Sequence, residues 1–329
     1  MSGQTVAVGQ VHYMQLQAWA GIKSQFGWKT EQIHSDSLVK DIIVYKRSVP
    51  GVGKFFYIPG LNGVDALTAK SFTKEVKQCY AGKGFAIRLE LDQQRDDAVL
   101  HSLREAGWKK IQKHIQYRHT VIVQLTGSEE DVWMSMKSRA RYEVLQAQKS
   151  GVVIEQAEPN EENLRKMYDL MQVTSNRNKF YIRDMKFTMA YWRKFSELGQ
   201  LKLFFATHKG DILSGAIILT SGTKAWYKDG GSTRTKANLM GARLLQWEAM
   251  KSLQHDGITI YDLGGIPATE SHQTSSMHGL YVFKTAYSKI TTELIPTLEL
   301  PLNKRYALWP KAEKQWLRVY NLFAHSLWY

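Results

Sequence analysis

The sequence predicts an α/β chain built from two tandem units, and three observations carry that prediction. At 329 residues the chain is long enough for two cores of ordinary size. In both halves, strand-like runs rich in β-branched and aromatic residues alternate with helix-length runs whose apolar residues recur every three or four positions. The halves also echo each other. Tyr57 and Tyr227 each stand three residues before a glycine, Gly60 and Gly230, and each is followed 35 positions later by a strand-end aspartate, Asp92 and Asp262. The echo is weak, but it argues a duplicated domain.

In the first half, Val6 to Val8 reads as a short strand. Tyr13 to Phe26 reads as a helix with Met14, Ala18, Ile22 and Phe26 as its buried stripe and Gln17, Trp19 and Lys23 on other faces. Gly27-Trp28 ends it. Strands over Ile42–Lys46 and Lys54–Ile58 flank the turn Val49-Pro50-Gly51-Val52-Gly53. Pro59-Gly60 then leads to a helix from about Val64 to Tyr80. The run Phe85–Leu91 is a strong strand ending at Asp92. A helix over Asp96–Ala106 and a strand near Tyr117–Leu125 complete the unit.

In the second half, Ser128 and Asp131 form a capping box that opens one long helix to Ser150, with Gly151 as its C′ residue. Val152–Glu155 is a strand. Pro159-Asn160 opens a helix with Leu164, Met167, Tyr168 and Met171 on one face, and another helix spans Asp184–Leu198. Strands over Leu201–Thr207 and Leu213–Thr220 turn at Lys209-Gly210-Asp211, a third lies near Lys224–Lys228, and a helix covers Leu239–Gln254.

The stretch from Ile258 to Ile290 is the most informative. It opens as a strand, breaks at Asp262 and Gly264-Gly265, and meets Pro267, which stops a central strand from resuming. A polar loop, Ala268 to His278, leads into Gly279–Tyr287, where Lys284 stands among Leu280, Tyr281, Val282, Phe283 and Tyr287. A strand ending in an acid and two glycines lets backbone approach a ligand closely. A lysine so surrounded is placed to carry charge in a sheltered site; the plain alternative is a snorkelling surface lysine beside an ordinary turn.

Composition narrows the function. Apolar and charged shares of 43% and 22% are those of a folded globular protein. The net charge of +14 calls for polyanionic partners, whether nucleic acid, anionic membrane or phosphorylated substrates. The single cysteine, Cys79, excludes a disulfide framework within the chain and any Cys-rich metal site. The ten histidines show no metal-ligand spacing, so no metal is expected. With no leader-like segment and no run of eighteen apolar residues, a cytoplasmic protein is expected.

Three further segments interleave basic and apolar or aromatic residues. Between Ser175 and Lys194, six basic residues (Arg177, Lys179, Arg183, Lys186, Arg193, Lys194) face one acid, Asp184, with Phe180, Tyr181, Phe187, Tyr191 and Trp192 among them. Arg177 and Tyr181 read as loop residues suited to phosphate oxygens and a base or sugar, while the later half reads as a solvated helix face over core aromatics. In Lys137-Ser138-Arg139-Ala140-Arg141, Arg139 can pair with Glu143 one turn on. The tail from Pro310 carries an apolar stripe of Ala312, Trp316, Val319, Tyr320, Phe323 and Leu327, with Lys311, Lys314 and Arg318 near its start and Trp328-Tyr329 at its end. Such a helix can dock on the first unit or lie on an anionic membrane; docking is the expectation.

The pair Tyr261-Asp262-Leu263-Gly264-Gly265-Ile266-Pro267 and Gly279-Leu280-Tyr281-Val282-Phe283-Lys284 resembles the Fem family of peptidoglycan aminoacyltransferases. The resemblance implies two GNAT-like domains, 1–126 plus 296–329 and 127–295. No heptad-patterned insertion is visible, so the chain looks like the FemX-like members without a coiled-coil arm. It implies transfer of an amino acid from aminoacyl-tRNA onto the stem peptide of UDP-MurNAc-pentapeptide or lipid II, by a monomer without cofactor or metal that can touch the cytoplasmic membrane face.

By the same resemblance Lys284 supplies positive charge to the tetrahedral oxyanion, and Phe283 and Tyr287 shape the adenosine end of the tRNA. Lys23 stands in a shortened form of the family's Gln-Ser-x-x-Trp-Gly-x-x-Lys element, which holds a diphosphate. Arg177 and Tyr181 face nucleotide and phosphates, and Tyr227 precedes a Gly230-Gly231-Ser232 turn. Asp92 matches a strand-end Asp-Pro in which Gln93 replaces the proline; it can position or deprotonate an amine, or simply form a turn. Two other classes compete. An acyl-CoA-dependent GNAT enzyme needs a pyrophosphate loop whose spacing Arg234–Gly241 lacks. A non-catalytic RNA-binding module leaves both motif elements unexplained.

Overall fold

Two sheets organise the chain. The computed structural model describes residues 10–112, 115–268, 273 and 277–324, the last four by backbone alone. The strand expected at Val6–Val8, most of the 268–278 loop, and the side chains of Phe323, Leu327, Trp328 and Tyr329 lie outside the described residues. The chain divides into Met1–Arg118 with Glu293–Tyr329, and His119–Thr292.

In the first unit a single 3-10 turn, Tyr13–Gln15, precedes helix α1 (Gln17–Gln25). Leu16 between them is extended, with ψ of 144°, so the expected continuous helix is interrupted. The restart changes the buried face: Trp19, Ala20, Ile22 and Lys23 turn inward, and Ala18 does not. Trp19 and Lys23 were expected on other faces; a stripe phased from Met14 does not carry across an extended residue. Strands β1 (Lys29–Ser35), β2 (Lys40–Val49) and β3 (Gly53–Leu61) form an antiparallel meander. Helix α2 (Ala69–Tyr80) then crosses to β4 (Ala86–Leu91), parallel to β3. Helix α3 (Asp97–Glu105), capped by the Asp96 carboxylate, and the two-residue β5 (Lys109–Lys110) follow.

The far end of the chain completes this unit. Strand β13 (Leu298–Pro301) pairs antiparallel with β4, giving the order β1-β2-β3-β4-β13-β5. Helix α10 (Trp309–Ala324) packs on it, with fully buried Trp309 ring to ring with Phe55 and Phe85 at 5.4 and 5.3 Å. Beneath it, buried Arg88 donates to Glu299 at 2.5 Å and to Glu313 of α10 at 2.9 Å. The tail therefore docks on its own unit, although Val319, expected in the buried stripe, is exposed. Trp309 and Glu313 set the inward face, and Val319 falls to its side.

The second unit begins with β6 (His119–Gln124), which pairs antiparallel with β11 (Ile260–Ile266) and so belongs here, not in the first unit where the sequence reading puts it. Ser128 and Asp131 form the expected capping box on α4 (Glu129–Ser135). The helix does not run on to Ser150. Met136 and Lys137 are extended, and α5 (Ser138–Lys149) starts afresh, because the Lys137 N–H is taken by the Ala286 carbonyl at 2.9 Å. Strand β7 (Val153–Ala157), helices α6 (Glu161–Asn178) and α7 (Met185–Glu197), and strands β8 (Leu201–His208), β9 (Asp211–Ser221) and β10 (Lys224–Ser232) come next. Helix α8 (Gly241–His255) crosses to β11, parallel to β10; α9 (His278–Lys284) and β12 (Thr291–Glu293) close the unit. The sheet order is β12-β6-β11-β10-β9-β8-β7.

Both sheets thus share one plan. An antiparallel meander leads into a parallel pair joined by a crossover helix (β3-α2-β4 and β10-α8-β11), flanked by an antiparallel strand from elsewhere in the chain (β13 and β6). The echoed tyrosines and glycines lie on the equivalent strands β3 and β10. Among the described residues the longest helix, α6, has 18 residues, and no helical arm extends from either unit.

Candidate active site

Strands β10 and β11 pair at Lys224↔Ile260, Ala225↔Tyr261 and Trp226↔Asp262, then stop pairing, although β10 continues to Ser232 and β11 to Ile266. Each strand is bulged where they part. The register of β10 with β9 shifts between Tyr227 and Asp229, and that of β11 with β6 shifts between Asp262 and Gly265. The strand therefore does not break at Asp262, as its Asp-x-Gly-Gly pattern suggests, but bulges through it. Gly264 takes a φ of +74°, which a glycine adopts without penalty. The buried Asp262 carboxylate fastens the bulge by accepting hydrogen bonds from the Gly264 N–H at 2.8 Å and from the Thr120 hydroxyl. Its other oxygen lies 3.9 Å from the ammonium of Lys224, itself buried over the Trp226 ring.

Lys284, at the end of α9, enters where the strands part. It is buried, its Nζ donates to the Gly265 carbonyl at 2.9 Å, and it stands 5.9 Å from the centre of the Tyr227 ring. Tyr227 can lie there only because residue 230 is glycine: a Cβ at Gly230 would be 1.7 Å from the Tyr227 hydroxyl. Burial pulls the Lys284 pKa down from 10.5 to about 8, with Asp262 pulling the other way. Burial pushes Tyr227 up, helped by Tyr287 and Asp229, and pushes Tyr287 up to about 12 against the pull of Arg243. At neutral pH the site thus holds a protonated lysine that parts with its proton readily, among neutral tyrosines. Such a cation, held in a low-dielectric gap, can stabilise a developing oxyanion and protonate a leaving oxygen.

Phe283 packs edge-on to Tyr287 at 5.6 Å, and the Arg243 guanidinium lies 4.7 Å from the Phe283 ring. Arg243 also donates to the Phe283 carbonyl at 2.6 Å and to Glu143 at 2.7 Å, and Glu143 accepts the expected bond from Arg139 at 3.0 Å. Lys137 reaches the other side of the turn, its Nζ 3.3 Å from the Thr285 hydroxyl. Arg243, Lys224 and Thr120 carry no local sequence signal; only the fold brings them to this turn and bulge.

Arg177 lies in the last turn of α6, not in the loop where the sequence reading puts it. The helix runs to Asn178 because Lys179 then turns it off in a left-handed conformation, φ +55°. Its guanidinium donates to the Ser232 carbonyl at 2.7 Å and hydroxyl at 3.2 Å, leaving further N–H donors for a ligand. Burial and the neighbouring Arg234 hold its pKa below the usual arginine value, the mark of positive charge that wants an anion. Tyr181 follows in the α6–α7 connection and is 59% exposed.

The two remaining candidates belong to the first unit. Lys23 is buried on α1 with its Nζ 5.3 Å from the Trp28 ring. Asp92 directly follows β4 and lines a small cavity, about 20 Å³, with His12, Gly60, Glu90, Arg118 and Thr297. Gln93, in place of the family's proline, ties the following loop to Val64 through both its amide atoms, at 2.9 and 3.1 Å. The structure therefore gathers Lys284, Tyr227 and Phe283 around one gap, sets Arg177 at the end of α6 and Tyr181 in the connection after it, in the same unit, and leaves Lys23 and Asp92 in the other unit.

Comparison with known proteins follows the same lines. The FemAB family model matches residues 90–207 and 193–314. The lipid II:glycine glycyltransferase of Staphylococcus epidermidis is 23% identical over 379 aligned residues, covering 88% of this chain and 88% of that protein. Its namesake from Staphylococcus haemolyticus is 22% identical over 380, with the same coverage. Both alignments are longer than this chain, so those relatives carry insertions that it lacks. Among solved structures, the crystal structure of FemX superposes with a TM-score of 0.80 at 21% identity, covering 93% of this chain and 95% of FemX. L-PGS from Bacillus licheniformis superposes with a TM-score of 0.54 at 12% identity, covering 87% and 88%. These two likenesses are of fold.

Proposed function

Because the chain belongs to the FemAB family, we propose that it is an aminoacyltransferase of peptidoglycan synthesis, moving an amino acid from aminoacyl-tRNA onto the stem peptide of lipid II or of its UDP-linked precursor. The names of the relatives support lipid II as acceptor and make glycine the first amino acid to test. The observation that carries the reading is Lys284, a buried lysine held at the parting of two parallel strands with its proton loosely bound.

In the reaction, the amine nitrogen of the stem peptide attacks the ester carbonyl carbon of the charged tRNA. A C–N bond forms and the carbonyl oxygen becomes an oxyanion facing the Lys284 ammonium. Collapse breaks the bond to the ribose oxygen, which takes a proton from Lys284 and leaves as the free hydroxyl. The attacking amine gives up a proton, which restores Lys284. Aligning amine and ester supplies the rest of the acceleration. Tyr227 holds the lysine in place, and the Phe283–Tyr287 pair offers aromatic surface to the terminal adenine. Arg177, with Arg234 beside it, and Tyr181 hold the phosphates and attached group of the acceptor; Lys23 would hold phosphate on the first unit.

The test is to incubate the protein with glycyl-tRNA and other charged tRNAs, with either lipid II or UDP-MurNAc-pentapeptide, and read product mass. A parallel arm with acetyl-CoA replaces the tRNA. Absence of a mass gain with both acceptors refutes the reading, and acetylation in the parallel arm replaces it.

A further inference from the structure

Helix α10 joins two properties that its sequence poses as alternatives, because they fall on opposite faces. Trp309, Glu313 and Tyr320 mark the inward line, with Glu313 taken by Arg88 and Tyr320 hydrogen-bonded to Arg47. At about 100° per residue, Lys311, Lys314, Gln315 and Arg318 fall on the opposite side, and all four are exposed. Lys304 and Arg305, on the 3-10 turn just before the helix, are exposed as well. Between Lys304 and Tyr320 the only acid is Glu313, and it is turned inward. None of the five cations is paired with a carboxylate among the described residues. Two apolar side chains stand beside them, Leu308 at 56% and Val319 at 47% exposure.

We propose that this face docks the protein on an anionic phospholipid bilayer. A helix anchored along one side and basic along the other lies flat on such a surface, each lysine or arginine meeting lipid phosphate. Leu308 and Val319 would enter the acyl boundary, a contact that nucleic-acid phosphates do not offer. No exposed aromatic stands among the described residues of this face to stack a base, so the face fits lipid better than RNA. The proposal concerns the first unit and does not rest on the chemistry assigned to Lys284.

The experiment is sedimentation of the full chain with vesicles of phosphatidylglycerol and phosphatidylcholine, or of phosphatidylcholine alone, at low and at physiological salt. The wild type should bind the anionic vesicles, and less so as salt rises. The triple variant Lys311→Glu, Lys314→Glu, Arg318→Glu should bind at least tenfold more weakly, with its melting temperature and its turnover on a soluble acceptor unchanged. The milder Leu308→Ser with Val319→Ser serves if the triple variant melts early, and should weaken binding severalfold. Equal binding to both vesicle types, no binding by the wild type at low salt, or undiminished binding by the variants overturns the proposal. So does a triple variant that keeps its vesicles but loses affinity for tRNA, which would make the face an RNA surface.

Discussion

Replacing Lys284 with methionine should slow the enzyme and leave the protein at least as stable, a combination that a structural lysine does not produce. The drop in its pKa from 10.5 to about 8 corresponds to about 3 kcal/mol at 1.36 kcal/mol per pH unit. That is the penalty the folded protein carries for keeping a buried ammonium. Methionine fills similar volume without charge and removes the penalty, but it leaves the Gly265 carbonyl without its donor, which costs about 1–3 kcal/mol. The net gain is about 0–2 kcal/mol, or a rise in melting temperature of about 2–4 °C per kcal/mol for a unit of this size. The gain has a pH signature. Below pH 8 the lysine is charged in folded and unfolded protein alike and the penalty is complete. Between about 8 and 10.5 the folded protein sheds the proton before the unfolded chain does, so the wild type gains stability with rising pH and closes on the variant. Single-turnover transfer should fall by about 10²–10³, the usual loss when one preorganised donor is removed. Wild-type transfer should decline above pH 8, where Lys284 loses its proton, and that arm should be missing in the variant. Thermal melts from pH 7 to 10.5 and quenched single-turnover assays check both halves. A variant that melts more than 5 °C lower at pH 7, or transfers within twofold of wild type, refutes the reasoning.

Asp262→Asn removes the carboxylate that props up the Lys284 pKa, so the high-pH arm of the transfer rate should move to lower pH; an unmoved arm would assign Asp262 to the bulge alone. Gly230→Ala forces Tyr227 out of its place, and transfer should drop at least tenfold, with about 1–3 kcal/mol lost from stability as in other overpacked cores, measured by kcat/KM and chemical denaturation. Arg177→Ala should raise the KM for the acceptor about tenfold with kcat unchanged, since a phosphate clamp holds ground and transition states alike, and steady-state kinetics with varied acceptor decide it.

What was legible in the sequence was what is local. Helix starts at Asp96, Ser128, Asn160 and Asp184 each bear a side chain that accepts the orphan N–H groups of the first turn, and the structure uses all four. The stripe of Leu164, Met167, Tyr168 and Met171 is buried as spaced. What failed to show depends on distant partners. Strand β1, Lys-Thr-Glu-Gln-Ile-His-Ser, is an edge strand with one aliphatic residue, and only its pairing with β2 makes it a strand. The break between α4 and α5 follows from a bond made to Ala286, nearly 150 residues away in the chain. Strand β6 follows the first unit in the chain but pairs in the second sheet. At the site, Lys284 was visible because a lone cation among apolar and aromatic neighbours is out of place. A periodicity run from Met14 points Lys23 outward; one extended residue, Leu16, resets the helix that carries it and turns it inward.

The plan shared by the two sheets surrounds its echoed tyrosines with different chemistry. In each unit a tyrosine and a glycine three residues later mark the first of two parallel strands, and the register of that strand shifts close to the tyrosine. In the second unit the parting houses a lysine whose charge burial makes easy to lose. In the first, the corresponding tyrosine, Tyr57, donates to Glu90, whose carboxylate also accepts from the N–H groups of Ile115 and Gln116 and from Thr297. Asp92 stands beside it on the same cavity wall. Four donors thus converge on one buried carboxylate. In both units the first of two parallel strands sets a tyrosine beside a buried group of opposite chemistry, a carboxylate in one and a lysine in the other, on the same scaffold.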